Sequence, residues 1–144
     1  MIRRFHPSDL AEVKEVFLEN VPHYFALAEW DDLLAYLEKY SETYFVFEES
    51  GIILGAGGFH FPELGIGRLS WDFFRQEAKG KGLGRKLIEH CLAELEKEKA
   101  FGRIEVWTSQ RAHGFYGKFG FETVEIRKNF WAEGLDLYLM QREP

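Results

Sequence analysis

Apolar residues recur along the chain with two periods, and the switches between them set out its elements. Ile2 to Phe5 reads as a short strand. Pro7-Ser8-Asp9 then caps a helix that carries Leu10, Val13, Val16 and Phe17 at helical spacing and stops near Asn20 to Pro22. A second helix is predicted from about Asp31 to Tyr40, with Leu33, Leu34 and Leu37 on one side and Asp31 and Asp32 in its first turn. Thr43 to Glu48, Ile52 to His60 and Ile66 to Phe74 are rich in aromatic and β-branched residues. Ser50-Gly51 and Pro62 to Gly65 separate them, so they read as an antiparallel meander. From Gly84 to about Lys99, Leu87, Ile88, Cys91, Leu92 and Leu95 form the buried stripe of a longer helix, and Gly102 ends the connection after it. Arg103 to Thr108 predicts a strand, and Ala112, Phe115, Tyr116 and Phe119 mark a short helix closed by Gly120. Strands over Phe121 to Arg127 and Leu135 to Met140 follow, the last with Leu135, Leu137 and Leu139 on one face. The order β-α-α-β-β-β-α-β-α-β-β predicts an α/β sheet with helices on both faces.

A chain of 144 residues without repeats, low-complexity tracts or linkers predicts a single domain over residues 1–144. Hydrophobic residues at 46% and aromatics at 17% argue for a packed core and against disorder. With 18 Lys plus Arg against 24 Asp plus Glu, the net charge of -6 disfavours nucleic acid or an anionic membrane as the main ligand. The lone Cys91 cannot form an internal disulfide, and Met1 to His6 lacks the apolar stretch of a signal peptide, so a reducing cytoplasm is expected. The longest apolar runs, such as Tyr44 to Phe47, fall far short of the ~20 residues that span a bilayer, which predicts a soluble protein.

The candidate chemistry gathers at Lys79-Gly80-Lys81-Gly82-Leu83-Gly84-Arg85, between a strand and a helix. Glycines there let the backbone approach a ligand closely, and a helix N-terminus offers unpaired N–H groups and a positive dipole end to an anion. A nucleotide P-loop needs Gly-Lys-Ser/Thr to hold magnesium, whereas Gly84 is followed by Arg85 and Lys86. A dinucleotide fingerprint needs G-x-G-x-x-G in the first βα unit; these glycines run G-x-G-x-G, late in the chain. A plain turn at a glycine-rich helix entry is the remaining structural alternative.

Lys79-x-x-Gly82-x-Gly84 resembles the R/Q-x-x-G-x-G/A acyl-CoA pyrophosphate motif of the GNAT superfamily of N-acetyltransferases, with Lys79 in place of Arg or Gln. Ser109-x-x-Ala112-x-x-Phe115-Tyr116-x-x-Phe119-Gly120-Phe121 resembles the same family's N-x-x-A-x-x-F-Y-x-x-x-G-F, with Ser109 in place of Asn. The resemblance covers essentially the whole chain and implies the GNAT fold, a mixed, mostly antiparallel sheet. It also implies transfer of an acetyl, or another short acyl, group from CoA to a primary amine in a small molecule or at a peptide amino terminus. Acetyl-CoA is then the co-substrate and no metal is required. His6, His23, His60, His90 and His113 show no metal-ligand spacing.

The same resemblance distributes the roles. Lys79, Gly80, Lys81, Gly82, Leu83, Gly84 and Arg85 hold the pyrophosphate, and the backbone of Phe73 and Phe74 pairs with pantetheine like an added strand. The Phe74 N–H polarises the thioester carbonyl. Ser109 makes a weaker or water-bridged contact to the CoA arm. Tyr116 lies near the sulfur as general acid, against the structural alternative that it packs with Phe115 and Phe119. Where some family members carry a glutamate base this chain has Arg68, which cannot accept a proton. Strand alternation places Asp72 on the face of Arg68, either relaying the amine's proton through water or simply pairing with a cation. The family's acceptor walls correspond to the region with His23, Tyr24, Phe25 and Trp30 and to Lys128–Gly134 with Phe130 and Trp131. Glu29, Asp31 or Glu133 nearby suits a cationic amine, and core packing is the plain alternative for each ring. A catalytically silent CoA-binding sensor or interaction module of the same fold is the competing function, a dinucleotide-binding enzyme is a third, and family habit adds a homodimer through an exposed sheet edge.

Overall fold

A computed structural model describes residues 1–98 and 101–144. The elements are β1 (Ile2–Arg4), α1 (Leu10–Leu18), α2 (Glu29–Tyr40), β2 (Tyr44–Glu49), β3 (Ile52–Glu63) and β4 (Gly65–Phe74), then α3 (Leu83–Lys97), β5 (Phe101–Thr108), α4 (His113–Gly117), β6 (Glu122–Ala132) and β7 (Leu135–Arg142). Lys99, where the apolar stripe of α3 runs out in sequence, lies outside the described residues. Gly102 does not end a connection. It lies inside β5, whose Phe101 already pairs with Gly65. β6 extends past Arg127 to Ala132 although Lys128-Asn129 is polar enough to read as loop, and Asn129 is held to β7 and the turn before it. Asn129, at φ 56°, donates its N–H to Asp136 and accepts the Gly134 N–H.

The seven strands form one sheet in the order β1-β2-β3-β4-β5-β7-β6. β4 and β5 run parallel, with α3 as their crossover, while the other neighbours are antiparallel. On one face Leu87, Ile88, Cys91, Leu92 and Leu95 of α3 pack against Phe45, Phe59, Leu69, Ile104 and Val106. On the other, Val13, Val16 and Phe17 of α1 and Trp30, Leu33 and Leu37 of α2 cover Tyr44, Val46, Ile53, Ala56 and Phe73. The layering is the one the period switches predict.

Two irregularities at the centre of the sheet prepare the site. The β4–β5 ladder ends at Leu69↔Val106, so past that pair the two parallel strands part. Beside this gap the β3–β4 register jumps from Gly58↔Ser70 to Ala56↔Phe73, setting Trp71 and Asp72 against the single residue Gly57. This is a β-bulge, with Trp71 at φ 53° and its carbonyl held by the buried Tyr44 hydroxyl at 2.7 Å. The extra residue reverses the alternation. Arg68 and Ser70 face the α1/α2 layer with His60, whereas Asp72 faces α3 and α4, where Leu87 packs beside it and Tyr116 bonds to it. Asp72 therefore does not share a face with Arg68. Simple alternation fails here because two residues occupy one step of the ladder.

A methyl group at Gly57 would lie 2.7 Å from the Asp72 Cβ and 3.1 Å from its backbone Cα. Gly57→Ala is expected to lower the unfolding free energy by about 1–3 kcal/mol through overpacking. Urea denaturation checks this, and an unchanged midpoint would show that the bulge yields at no cost.

Candidate active site

The gap between β4 and β5 opens into a cleft of about 990 Å³ whose walls come from both helical layers. Its first half lies at the start of α3. Gly80 and Gly82 have φ of 80° and 78°, a left-handed conformation that a side chain would strain, and Gly82 leads directly into the helix. The first intrahelical bond runs from the Lys86 N–H to the Gly82 carbonyl at 3.2 Å, leaving the preceding N–H groups of the first turn without helical partners. This is the geometry of an anion cradle. Two outward cations sit beside it: Lys81 is exposed, and Arg85 is exposed and pairs with Glu89 at 3.2 Å. Lys79 is turned the other way, its ammonium 3.2 Å from Asn20 Oδ1 and 4.0 Å above the Tyr24 ring. The residue as a whole is exposed, but desolvation of the ammonium at this contact lowers its pKa, against the raising effect of Glu19.

At the end of β4 the backbone turns one edge toward the cleft. The Arg75 N–H donates to the Leu54 carbonyl at 2.8 Å, which marks Gly55↔Phe74 as a non-hydrogen-bonded antiparallel pair. By that pattern Phe73 bonds toward β3, while the N–H of Phe74 is turned to the gap that β5 has left. The Phe74 carbonyl on the same side accepts from Asn20 Nδ2 at 2.9 Å. One free donor at a strand end therefore faces the cleft.

On the α3/α4 wall, Tyr116 of α4 is 4% exposed and its hydroxyl donates to Asp72 Oδ2. Burial, reinforced by the neighbouring Asp72, pushes the phenol well above its ordinary range, so it keeps its proton at neutral pH. Burial likewise raises the Asp72 carboxyl, against the lowering effect of the Tyr116 bond. Tyr116 thus holds a proton in its bond to Asp72 on the wall of the cleft that Phe74 also lines.

The second half of the cleft belongs to α2, the segment before it and the opposite sheet face. Tyr24, Phe25, Trp71, Trp107 and Trp131 supply an aromatic lining, with Phe25 stacked on Trp71 at 5.9 Å. Arg111 reaches across from the turn after β5 to the His23 carbonyl at 2.6 Å. Arg68 is neutralised by Glu105 at 2.6 Å and lies 4.2 Å over Trp107, and His60 bonds Ser70 at 2.8 Å. Burial holds the His60 imidazole down to about 4, so it is neutral near pH 7. Glu29, at the start of α2, lines this half while only 6% exposed. Its Oε2 accepts the Ala26 N–H at 2.7 Å, and burial pushes its carboxyl up to about 7. Among the described residues, no three His, Cys, Asp or Glu side chains are placed to hold a metal ion, and no helix is long and apolar enough to cross a membrane.

Residues 10–144 match the acetyltransferase (GNAT) domain family. The chain belongs to the GNAT acetyltransferases. The N-alpha-acetyltransferase of Sulfolobus acidocaldarius is 26% identical over 137 residues, covering 85% of this chain and 77% of that protein. N-alpha-acetyltransferase 50 of Danio rerio is 35% identical over a shorter stretch of 66 residues, 42% of this chain and 39% of that protein. Ard1 from Thermoplasma volcanium superposes with a TM-score of 0.84 at 20% identity, covering 99% of this chain and 96% of that one. The acetyltransferase yncA from Salmonella typhimurium, solved with its cofactor acetyl-CoA, superposes at 0.78 with 22% identity over 99% of this chain and 92% of that one. The last two share the fold, a seven-stranded GNAT sheet with one parallel pair.

Within this GNAT frame the sequence-predicted residues meet in one cleft. Phe73, Phe74, Ser109, Tyr116, Asp72 and the Lys79–Arg85 loop all line it, except Lys81. Ser109 Oγ accepts the Arg111 N–H at 3.2 Å and so shapes the turn after β5. Of the three acidic candidates for the amine side only Glu29 lines the cleft; Asp31 and Glu133 are exposed elsewhere. Trp30 is core, packed on Phe17 at 5.4 Å, and Phe130 is exposed outside the cleft. The roles of Asn20 and Arg111 had no sequence signal, because each depends on a partner brought near by folding.

Proposed function

We propose that this protein transfers an acetyl group from acetyl-CoA to the α-amino group of a peptide amino terminus, by direct attack in a ternary complex. The observation that carries the reading is the single cleft. It joins a helix-end anion cradle, a free strand-end donor and a buried phenol on one side to an aromatic, carboxylate-bearing half on the other. The N-alpha-acetyltransferases among the relatives support the peptide terminus over a small free amine. The glycine loop and α3 N-terminus fit the pyrophosphate, and the Phe74 N–H fits the developing oxyanion.

Acetyl-CoA supplies the thioester carbonyl that is attacked and the sulfur that leaves. Glu29, ionised, takes one proton from the substrate ammonium and returns it to solvent. Tyr116 gives its proton to the departing sulfur and regains one from the amine nitrogen, so the two protons lost by the ammonium end on solvent and on the thiol. Asp72 orients Tyr116 rather than serving as base, since the bulge carries it to the far face of β4. Phe74 holds the carbonyl oxygen as the C–N bond forms and the C–S bond breaks.

Thiol release across a panel of peptide termini and small amines tests the function, with melting curves alongside. At 100 times its Kd acetyl-CoA should stabilise the fold by about 2.7 kcal/mol, while NAD leaves the melting temperature unchanged. Acetyl-CoA stabilisation with silence across every amine would assign the chain as a CoA-binding module instead.

A further inference from the structure

Asn20, just past the end of α1, is 2% exposed and joins three parts of the molecule. Its Nδ2 donates to the Val16 and Phe74 carbonyls, both at 2.9 Å, and its Oδ1 accepts from Lys79 at 3.2 Å. Its own carbonyl accepts the N–H groups of Tyr24 and Phe25, at 2.9 and 3.1 Å. Lys79 completes the ring by seating its ammonium 4.0 Å above Tyr24. Glu19 reinforces the same junction, with Oε1 accepting the Gln76 N–H at 2.8 Å and Oε2 accepting from Arg75 at 3.0 Å. The start of the glycine loop and the wall of the amine half are thus one bonded unit.

We infer that Lys79 is a positioning residue for the acceptor, not a ligand of the pyrophosphate: through Asn20 and the face of Tyr24 it fixes the Asn20–Phe25 segment against which the incoming amino terminus docks. One N–H of the ammonium is bonded inward to an amide oxygen and one side of it lies over a ring, which directs it toward Asn20 and Tyr24. Lys79, Lys81 and Arg85 are all exposed as residues, and it is the inward bond and the ring contact of its ammonium that set Lys79 apart. The inference rests on the amine-transfer reading for its kinetic consequence but makes a structural forecast independent of it.

Lys79→Met keeps the aliphatic stem and removes the charge, and Lys79→Arg restores a cation over the ring. For Lys79→Met, hydrogen exchange of the Tyr24 and Phe25 amides should accelerate roughly tenfold, while the Kd of acetyl-CoA by calorimetry stays within about twofold. With an acceptor from the panel, its KM should rise roughly tenfold, and Lys79→Arg should recover most of the loss. Tyr24→Leu should reproduce the effect, and the double variant should be no worse than either single one. Weaker acetyl-CoA binding with unchanged amide exchange would make Lys79 a phosphate ligand and overturn the inference. Unchanged exchange and unchanged affinity would overturn it too. If no amine reacts, the exchange and calorimetry still decide about Lys79, and only the functional reading fails.

Discussion

Tyr116→Phe is expected to lower kcat by about 10²- to 10³-fold, the range for loss of a positioned proton donor, while the Kd of acetyl-CoA stays within about twofold. The ring remains, so packing against Phe115 and Phe121 persists. What disappears is the hydroxyl bonded to Asp72. Asp72 is then a buried carboxyl without its donor, and stability should fall by about 1–3 kcal/mol. The pH dependence has a definite sign. A carboxyl whose folded pKa is raised favours the native state below its ordinary range and opposes it as pH climbs through the raised value. Losing the Tyr116 bond raises Asp72 further, so the deficit should be small near pH 4 and grow toward pH 8. Urea unfolding at both values measures it, and adding Asp72→Asn should flatten the dependence. A Tyr116→Phe enzyme with unchanged kcat would remove Tyr116 from the chemistry.

The legibility of this chain in sequence divides at the bulge. Everything set by period is readable: the β2–β4 meander, the α3 stripe from Leu87 to Leu95, and the two helical layers. Two glycine-bearing motifs point to the α3 entry and to Tyr116, because each needs particular residues at particular steps. The face of Asp72 is not readable by counting, since β4 itself holds no glycine at the bulge and Trp71 adopts its positive φ under tertiary constraint. The trace of it lies on the neighbouring strand: Gly55, Gly57 and Gly58 in β3 are the residues that β4 side chains or the β2 backbone approach too closely for a Cβ.

Lys79 and Glu29 show the same limit for charged residues. In sequence Lys79 is one of several cations around a glycine loop, and Glu29, Asp31 and Asp32 are three acids near a helix start. Folding separates them. Asp31 and Asp32 are exposed, while Glu29 is drawn under the Ala26 N–H into the cleft, and Lys79 is drawn away from Lys81 and Arg85 by Asn20. Sequence position does not distinguish Glu29 from Asp31 on the amine side or Lys79 from Lys81 and Arg85 on the phosphate side; burial and partners do.

Glu29→Gln is the sharper test of the amine side. The glutamine keeps an oxygen for the Ala26 N–H, so the turn before α2 should hold, and only proton acceptance is lost. With a carboxyl near 7 in the free enzyme, wild-type kcat/KM should rise about tenfold per pH unit below that value and level off above it. In Glu29→Gln this limb should vanish and kcat at pH 8 should fall about 10²- to 10³-fold. The other titratable or charged groups lining this half are Tyr36 on α2, Tyr24 before it with Lys79 over its ring, His60 on β3, Arg68 on β4 and Arg111 after β5, while Asp72 lies on the α3/α4 wall. His60 is already neutral, and an Asp72→Asn control separates the remaining carboxyl. Stability should move opposite to activity. Glu29, raised by burial, supports the fold below its ordinary range near pH 4 and weakens it as pH passes about 7. The neutral variant should therefore be at least as stable as wild type at pH 8, although far slower. A purely structural cap would give the reverse, with lost stability and an intact pH–rate limb, and a limb that survives Glu29→Gln but disappears in Asp72→Asn would return the base to Asp72.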